Sequence, residues 1–313
     1  MIKEIVSAAL PIDERLVIRK NVWRQGQGRK RLCVVTGTHG DELEGQWVCL
    51  RLNQMMREHP ELLDGQLEIY PALNPLGIDS ITRGIPNFDL DMNRIFPGNA
   101  EGSVAERIVH GIYTDLLGAD MVIDIHSSNI FLREIPQVRI NINTADTLVP
   151  YAQELGMDFI WVHEAATVLE STLAHSLNSQ GVPTLVVEMG VGMRLNHGYG
   201  NRLVNGILNL MHHMGMWHGE VNDMALQKAV VSVAGEVSFV NSSASGIFVT
   251  ESKNNVVVDQ GEEIGQVVDT LTGEVLQHVT APAHGLMFTL RAYPVVYEGS
   301  LLARVLAREE VRT

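Results

Sequence analysis

The feature that most constrains the fold of this chain is a regular alternation of short apolar runs with helical patterns, which continues to about residue 217. Runs of strand length are followed by segments in which apolar residues recur every three or four positions, a spacing typical of amphipathic helices. Strands that alternate with helices predict an α/β domain with a mostly parallel sheet flanked by helices. The predicted strands are 31–36, 67–73, 121–125, 136–142 and 184–189, and the predicted helices are 43–59, 103–118 and 200–216.

The pattern changes after about residue 220. Short β-type runs such as "GIFVTES" and "GLMFTLR", separated by glycine, asparagine and proline, replace the alternation, and no long helical pattern follows. We therefore predict two domains, an α/β domain over residues 1–220 and a smaller all-β domain over residues 221–313.

Composition excludes several classes of protein. The formal net charge of −14, without a basic stripe, argues against nucleic-acid binding. The chain has no apolar run of the ~18 residues that a membrane-spanning helix needs. Its first residues do not form a signal-peptide pattern, so we expect a cytoplasmic protein with no membrane partner. Cys33 and Cys49 lie in apolar contexts and are predicted to be buried, reduced thiols.

Polar side chains follow the predicted strands of the first domain. His39 and Glu42 come after "CVVTGT", His126 ends "ADMVIDIH", and Glu188 ends "TLVVE". In open α/β sheets, sites gather at the carboxyl ends of strands. Each residue alone has a simpler explanation, because a histidine after a strand is usually a hydrogen-bonded structural residue and the chain has 12 histidines. A carboxylate at the end of so apolar a run is costly to bury without a partner.

Taken together, these residues fit one chemistry. Catalytic zinc is commonly held by two histidines and one glutamate, with a fourth position left for water, and His39, Glu42 and His126 supply that set. The glycines around His39 let the backbone turn tightly enough for two ligands three residues apart to converge. A carboxylate outside the ligand set must then transfer protons, and Glu188 is the candidate.

A further cluster lies in the segment "LNPLGIDSITRGIPNFDLDMNRIFPG", residues 73–98, which has little periodicity. Long irregular loops in compact domains are often functional. The segment contains Asn93 and two arginines, Arg83 and Arg94, whose guanidinium groups can pair with carboxylates. The alternative is a solvated loop in which Asp91 pairs with Arg94.

The motifs "GTHGDELEG", "NP" followed by "R…DMNRIFPG", "DIHSS" and "VEMG" resemble, in that order, the succinylglutamate desuccinylase/aspartoacylase family of the zinc carboxypeptidase-like fold. The resemblance covers about residues 31–200 by motif. It implies a zinc enzyme that removes acyl groups, of acetyl or succinyl type, from the nitrogen of a small amino acid or diamino acid.

The resemblance also implies a role for each matching residue. His39, Glu42 and His126 match the ligands of one zinc ion, and Glu188 matches the general acid/base. Arg83 matches the arginine that helps to polarise the scissile carbonyl. Asn93 and Arg94 match the pair that binds the substrate carboxylate, and a tyrosine of the C-terminal domain that contacts substrate is assigned to Tyr297. These roles make a small N-acyl amino acid the expected partner and leave the oligomeric state open, a homo-oligomer included.

Two features depart from the family pattern. Met92 stands in "DMNR" where the family often has leucine, which conserves an apolar side chain. The segment "VEMGVGMR" after the catalytic glutamate differs from that of the members specific for aspartate or succinylglutamate, so the acyl group and the amino acid stay open.

The predicted β-domain contains two similar stretches, residues 245–269 and 281–305. Each places a glycine and an aliphatic residue ahead of a phenylalanine and passes through a glycine-marked turn into an apolar strand. This pattern resembles the half-barrel repeats of biotinyl and lipoyl domains. The turn between them, "DTLTGE", contains no lysine to carry a prosthetic group, so we interpret the domain as a scaffold or lid over the site.

Three alternatives can be compared with this interpretation. A serine hydrolase requires G-x-S-x-G, which the chain lacks. A zinc carboxypeptidase shares the predicted ligand set and would act on small peptides. A noncatalytic adaptor, with a lipoyl-like domain beside a peptidase-like one, predicts the loss of a ligand or of Glu188, and neither is lost.

Overall fold

A computed structural model of the chain describes residues 1–164, 170–221, 229–232 and 237–307. Its strands are β1 (Ile2–Ala9), β2 (Arg15–Gln25), β3 (Arg31–Thr36), β4 (Gly65–Tyr70), β5 (Met121–His126), β6 (Leu132–Asn141), β7 (Phe159–His163), β8 (Thr184–Gly190), β9 (Val230–Ser232), β10 (Val237–Asn241), β11 (Gly246–Val249), β12 (Val256–Val258), β13 (Glu263–Val268), β14 (Val275–Thr280), β15 (Gly285–Arg291), β16 (Val295–Val296) and β17 (Leu301–Ala307). Its helices are α1 (Glu44–Glu58), α2 (Pro75–Ser80), α3 (Val104–Leu116), α4 (Ala145–Glu154), α5 (Leu173–Asn178) and α6 (His197–His213).

A large mixed sheet forms the centre of the α/β fold, with strand order β1-β2-β4-β3-β5-β8-β6-β15-β17-β10. The neighbouring strands β4, β3, β5 and β8 are parallel, as the alternation of strands and helices predicts. The sheet is less parallel than expected, because a β1–β2 hairpin adds antiparallel strands at one side and β6 runs antiparallel to β8. The sequence pattern does not predict the hairpin, since Lys20 occupies an inward position of β2 and interrupts its apolar alternation.

Alternate residues of the parallel strands face two separate apolar cores. Val34 packs with α1, α4 and α6 on one face, whereas Cys33 and Val35 pack with α3 and α5 on the other. Within α1, Leu52 and Met56 are one turn apart and fully buried, and each such side chain contributes about 1.5–3 kcal/mol on transfer from water. Both faces of the parallel strands are therefore covered by helices, which explains why these strands read as continuous apolar runs. Cys33 and Cys49 are buried and free, as predicted.

The elements described after residue 229 are all strands, as expected for a C-terminal β region. They form part of the large sheet and a second sheet of order β14-β13-β11-β16. Strand β15 pairs antiparallel with β6, so the large sheet runs from the α/β region into the C-terminal region without a break. The lipoyl-like repeat and the boundary near residue 220 stay predictions.

Among the described residues, no helix is both long enough and apolar enough to cross a membrane.

Candidate active site

The parallel strands bring the predicted residues to one edge of the sheet. His126 is the last residue of β5 and is in register with Glu188 on the neighbouring strand β8. His39 lies in the turn that follows β3, and Glu42 lies just before α1. Because β3 and β8 both pair with β5, the three segments end side by side.

Two glycines shape the turn that carries His39. Gly37 has a φ of +69°, a conformation in which a side chain is strained. A Cβ on Gly40 would lie 1.9 Å from the carbonyl carbon of Gly77. The backbone can therefore fold back between β3 and α1 only with glycine at position 40, and this fold directs His39 and Glu42 to the same point.

The three predicted ligand side chains converge. The candidate ligand atoms of His39, Glu42 and His126 all lie within 4.8 Å of one another. The Nδ1 atom of His39 is 2.9 Å from Glu42 Oε1, and the Nδ1 atom of His126 is 3.0 Å from Glu42 Oε2. The three side chains are buried. The set therefore has the composition and the compactness of a catalytic zinc site.

A second carboxylate lies beside the far nitrogen of each imidazole. Asp91 Oδ1 is 3.1 Å from His39 Nε2, and Asp124 Oδ2 is 3.1 Å from His126 Nε2. Metal-bound histidines commonly contact a carboxylate in this way, which fixes the tautomer and the orientation of the ring. The pattern leaves both Nδ1 atoms directed at the common centre.

The charges around this centre attract cations. Burial alone would lower the pKa of His126, but the carboxylates of Asp124 and Glu42 raise it well above its usual value. For His39, burial is likewise outweighed by Glu42 and Asp91, and its pKa is raised. A pocket that favours a proton on two adjacent imidazoles also favours a divalent cation between them. The residues present thus fit a metal ion.

Glu188 lies beside this centre and has its own partners. Its Oε2 accepts a hydrogen bond of 2.5 Å from the Ser128 backbone N–H, and its Oε1 accepts one of 3.1 Å from Arg139 Nη1. Ser128 has a φ of +62°, an unusual conformation for a serine that points its N–H toward the carboxylate. Burial raises the pKa of Glu188, although Arg139 opposes the shift. A carboxyl group with a raised pKa is suited to accept and return a proton near neutral pH.

A cavity of about 760 Å³ opens above the centre. Its lining includes all seven residues predicted in the α/β region, which are His39, Glu42, Arg83, Asn93, Arg94, His126 and Glu188. Their functional roles stay predictions. Tyr297 does not line the cavity, and its side chain is 72% exposed on the C-terminal region, so the geometry gives its predicted role no support.

The segment 73–98 forms one wall of this cavity. Arg83 donates a 2.8 Å hydrogen bond to Glu42 Oε1 and a 3.2 Å hydrogen bond to Asp91 Oδ2. Asn93 lines the cavity, and its Oδ1 accepts from the Leu173 backbone N–H, a bond that does not use its amide nitrogen. Arg94 is exposed at the cavity wall. Asp91 contacts His39 and Arg83, instead of forming the Asp91–Arg94 pair considered as an alternative.

Sequence reasoning missed several residues of the site. Asp124 could have been found, because it lies two positions before His126 on one strand and therefore on the same face. Arg139 and His163 gave no such signal, since they lie on β6 and β7 and reach the cavity only through the order of strands in the sheet.

Known proteins resemble this chain in sequence. The family sequence model of the succinylglutamate desuccinylase/aspartoacylase catalytic domain matches residues 28–214. A curated relative, the N-alpha-acetyl-L-2,4-diaminobutyric acid deacetylase of Halomonas elongata, is 25% identical over 295 residues, which are 92% of this chain and 85% of the relative.

Solved structures share the fold. The product-bound ectoine utilization protein EutE of Ruegeria pomeroyi superposes with a TM-score of 0.81 at 23% identity, covering 94% of this chain and 90% of that chain. A succinylglutamate desuccinylase of Silicibacter sp. TM1040 superposes with a TM-score of 0.82 at 22% identity and the same two coverages of 94% and 90%. The likeness extends through the C-terminal β region as well as the matched catalytic domain.

Proposed function

Because the chain belongs to the succinylglutamate desuccinylase/aspartoacylase family, we propose that it is a metal-dependent hydrolase that removes the acyl group from a small N-acyl amino acid. The observation that carries the proposal is the convergence of His39, Glu42 and His126 beside a fourth buried residue, Glu188, in one cavity. The curated relative is a deacetylase of an N-acetylated diamino acid, which supports hydrolysis of an amide bond.

We propose zinc as the metal, with His39, Glu42 and His126 as its ligands. Two imidazoles and one carboxylate are a usual catalytic zinc set. When bound, the ion supplies a Lewis acid that polarises the substrate carbonyl and makes water more acidic. Asp91 and Asp124 are the proposed carboxylate partners of the two imidazoles, at 3.1 Å from His39 Nε2 and His126 Nε2.

Glu188 is the proposed proton-transfer group. It takes a proton from the water that attacks the amide carbon, a new C–O bond forms, and the C–N bond then breaks as Glu188 returns the proton to the departing nitrogen. The hydrogen bonds from Ser128 and Arg139 hold the carboxylate in place during both transfers. Arg83 is the proposed partner of the negative charge that develops on the carbonyl oxygen, a contribution of about 3–4 kcal/mol for a typical single donor.

The residues of the cavity wall favour a small substrate with a negative charge. Arg94 and Asn93, which line the cavity, are the proposed partners of the carboxylate of the amino acid. Two further arginines, Arg139 and Arg304, also line the cavity, but their guanidinium groups are paired with the carboxylates of Glu188 and Glu134. The proposed substrate class therefore carries at least one carboxylate, and both acetyl and succinyl groups stay candidates for the acyl part.

The experiment that tests the proposal measures amine release from a panel of N-acetyl and N-succinyl amino acids and diamino acids by zinc-loaded protein. Dipeptides and longer peptides are included, and each reaction is repeated after chelation. Chelator-sensitive release from one or a few N-acyl amino acids is expected. Cleavage of peptides alone would identify a carboxypeptidase, and zinc binding without release from any compound would favour a noncatalytic role.

A further inference from the structure

A line of buried and partly buried charged side chains connects the C-terminal region to Glu188. Arg139 on β6 donates through Nη1 to Glu188 Oε1 at 3.1 Å and through Nη2 to Glu134 Oε1 at 3.1 Å. Arg304 on β17 donates through Nη1 to the same oxygen of Glu134 at 2.8 Å. The order along the line is Glu188, Arg139, Glu134, Arg304, so negative and positive charges alternate.

Glu134 is the centre of this arrangement. It is fully buried, and its second oxygen, Oε2, accepts hydrogen bonds from Gln137 Nε2 at 2.9 Å and from the Thr289 hydroxyl. A buried carboxylate needs several such partners. Thr289 and Arg304 lie on β15 and β17, so the C-terminal region supplies a donor to each oxygen of Glu134.

An irregularity in β6 makes this arrangement possible. The pairing of β6 with β8 shifts register between Glu134 and Gln137, so one extra residue is present on β6. Side chains alternate between the two faces of a regular strand, so Glu134 and Arg139, an odd number of positions apart, would point to opposite faces. The bulge turns Glu134 to the face of Arg139, which is a common use of bulges near active sites.

Aromatic rings restrict the orientation of Arg304. Its guanidinium carbon lies 5.5 Å from the centre of the Trp161 ring and 5.6 Å from the centre of the Phe239 ring. The guanidinium carbon of Arg139 also lies 5.5 Å from the Trp161 ring centre. Contacts of this kind favour one plane for each guanidinium group, so the direction of each donor along the line is restrained.

From these contacts we infer that the C-terminal region completes the active site by positioning Glu188 through Arg304, Glu134 and Arg139. This inference rests on the proposed role of Glu188 in amide hydrolysis. It gives the C-terminal region a part in the reaction beyond that of a scaffold or lid. Arg139, Glu134 and Arg304 act as positioning residues.

The test compares Arg304→Gln with Arg291→Gln. Arg291 is a matched control, because it is also an arginine of the C-terminal β region, and its guanidinium donates to the backbone oxygens of Tyr293, Leu301 and Val295, away from the line. We expect Arg304→Gln to lower kcat by about 10- to 100-fold, the effect of a small misplacement of a catalytic group, with KM nearly unchanged. Arg291→Gln should retain the wild-type kcat, and Arg304→Lys should recover part of the lost rate.

The same substitution is then made in a Glu188→Gln background. If Arg304 acts through Glu188, Arg304→Gln should cause no further loss there. An equal fold-loss in both backgrounds, or full activity of the Arg304→Gln enzyme, would overturn the inference.

A measurement without substrate separates this inference from the proposed function. The unfolding free energies of Arg139→Gln, Arg304→Gln and the double variant are compared in urea. Non-additive effects are expected for this pair, and additive effects for Arg139→Gln with Arg291→Gln. Additivity in the first pair would reject the line of coupled charges. Absence of turnover in the wild type would reject the proposed function, and the unfolding data would still decide whether the line is coupled.

Discussion

The Nδ1 atoms of His39 and His126 lie 3.3 Å apart, although the two residues are separated by 87 positions in the chain. Both atoms also lie within 3.0 Å of a carboxylate oxygen of Glu42. The arrangement is stabilised when a positive charge lies among the three groups, as a proton or as a metal ion. The metal content, the reaction and the stability of the protein should therefore all respond to changes in the contacts of this centre.

Removal of the metal should destabilise the folded protein. A ligand present at 100 times its dissociation constant stabilises the native state by about 2.7 kcal/mol. Loss of that stabilisation on chelation should lower Tm by about 5 °C for a chain of this size. Calorimetry before and after chelation measures the change. The His126→Ala variant should show no chelator-dependent shift, and an identical shift in that variant would place the metal elsewhere.

Replacement of the carboxylate behind a ligand should weaken metal binding without removing a ligand. Asp124→Asn keeps the size of the side chain but removes the charge beside His126 Nε2. Loss of such a partner typically lowers metal affinity about 10- to 100-fold. Titration with a competing zinc chelator measures the change. Asp120→Asn, which alters an aspartate outside the cavity lining, is the control, and equal affinities of the two variants would contradict the role of Asp124.

Glu188→Gln should keep the metal and lose most of the turnover. The amide can still accept from Ser128, but it cannot take up the proton that hydrolysis releases. We expect kcat to fall by about 10²- to 10⁴-fold. Metal content by atomic absorption and kcat from amine release are measured together, with the exposed Glu58→Gln on α1 as the control. Full activity of Glu188→Gln would exclude it as the proton-transfer group.

Arg94→Ala should affect binding of the substrate more than the chemical step. Arg94 is exposed in the cavity wall, and its guanidinium donates to the backbone oxygen of Asn93 rather than to a proposed metal ligand or Glu188. Loss of a charged hydrogen bond to a carboxylate costs about 1.5–3 kcal/mol, so KM should rise about 10- to 100-fold. Steady-state kinetics measure the effect, with Arg107→Ala as a surface control. An unchanged KM would show that Arg94 does not touch the substrate.

His163 should make the protein less stable in acid. Burial, together with the guanidinium of Arg139, lowers the pKa of His163 to about 4, whereas the imidazole of an unfolded chain has a pKa of about 6.5. Between these values the unfolded chain binds a proton that the folded chain does not, so stability is fully present above pH ~6.5 and falls as the pH drops toward 4.

The His163→Gln variant should lose less stability over the same pH range. We expect a difference of about 1–2 kcal/mol, below the ~3 kcal/mol of the full shift, because the imidazole is partly exposed. Urea unfolding of both proteins at pH 7.5 and pH 4.5 measures it. The exposed His218→Gln is the control, and parallel pH curves for wild type and His163→Gln would contradict the prediction.

Local features of the sequence are sufficient to predict the parallel centre of the sheet and the residues at its edge. Strand β3 is predicted at its observed bounds, and α1 to within one residue at each end. The reason is that strands covered on both faces need continuous apolar runs, and their carboxyl ends meet at one edge. His39, Glu42, His126 and Glu188 can be grouped in this way from the order of residues alone.

Only the tertiary structure decided which residues surround that group. Arg139 and Arg304 reach Glu188 through strands that pair antiparallel, β6 with β8 and β15 with β17, and pairing between distant segments leaves no periodic signal in either one. The register shift at Glu134 adds a change of face that alternation cannot predict. Tyr297 illustrates the same limit, because its position in the sequence did not reveal that its ring lies outside the cavity. Residue types and their order thus specified the chemistry of the centre, whereas strand pairing specified the charges that orient it.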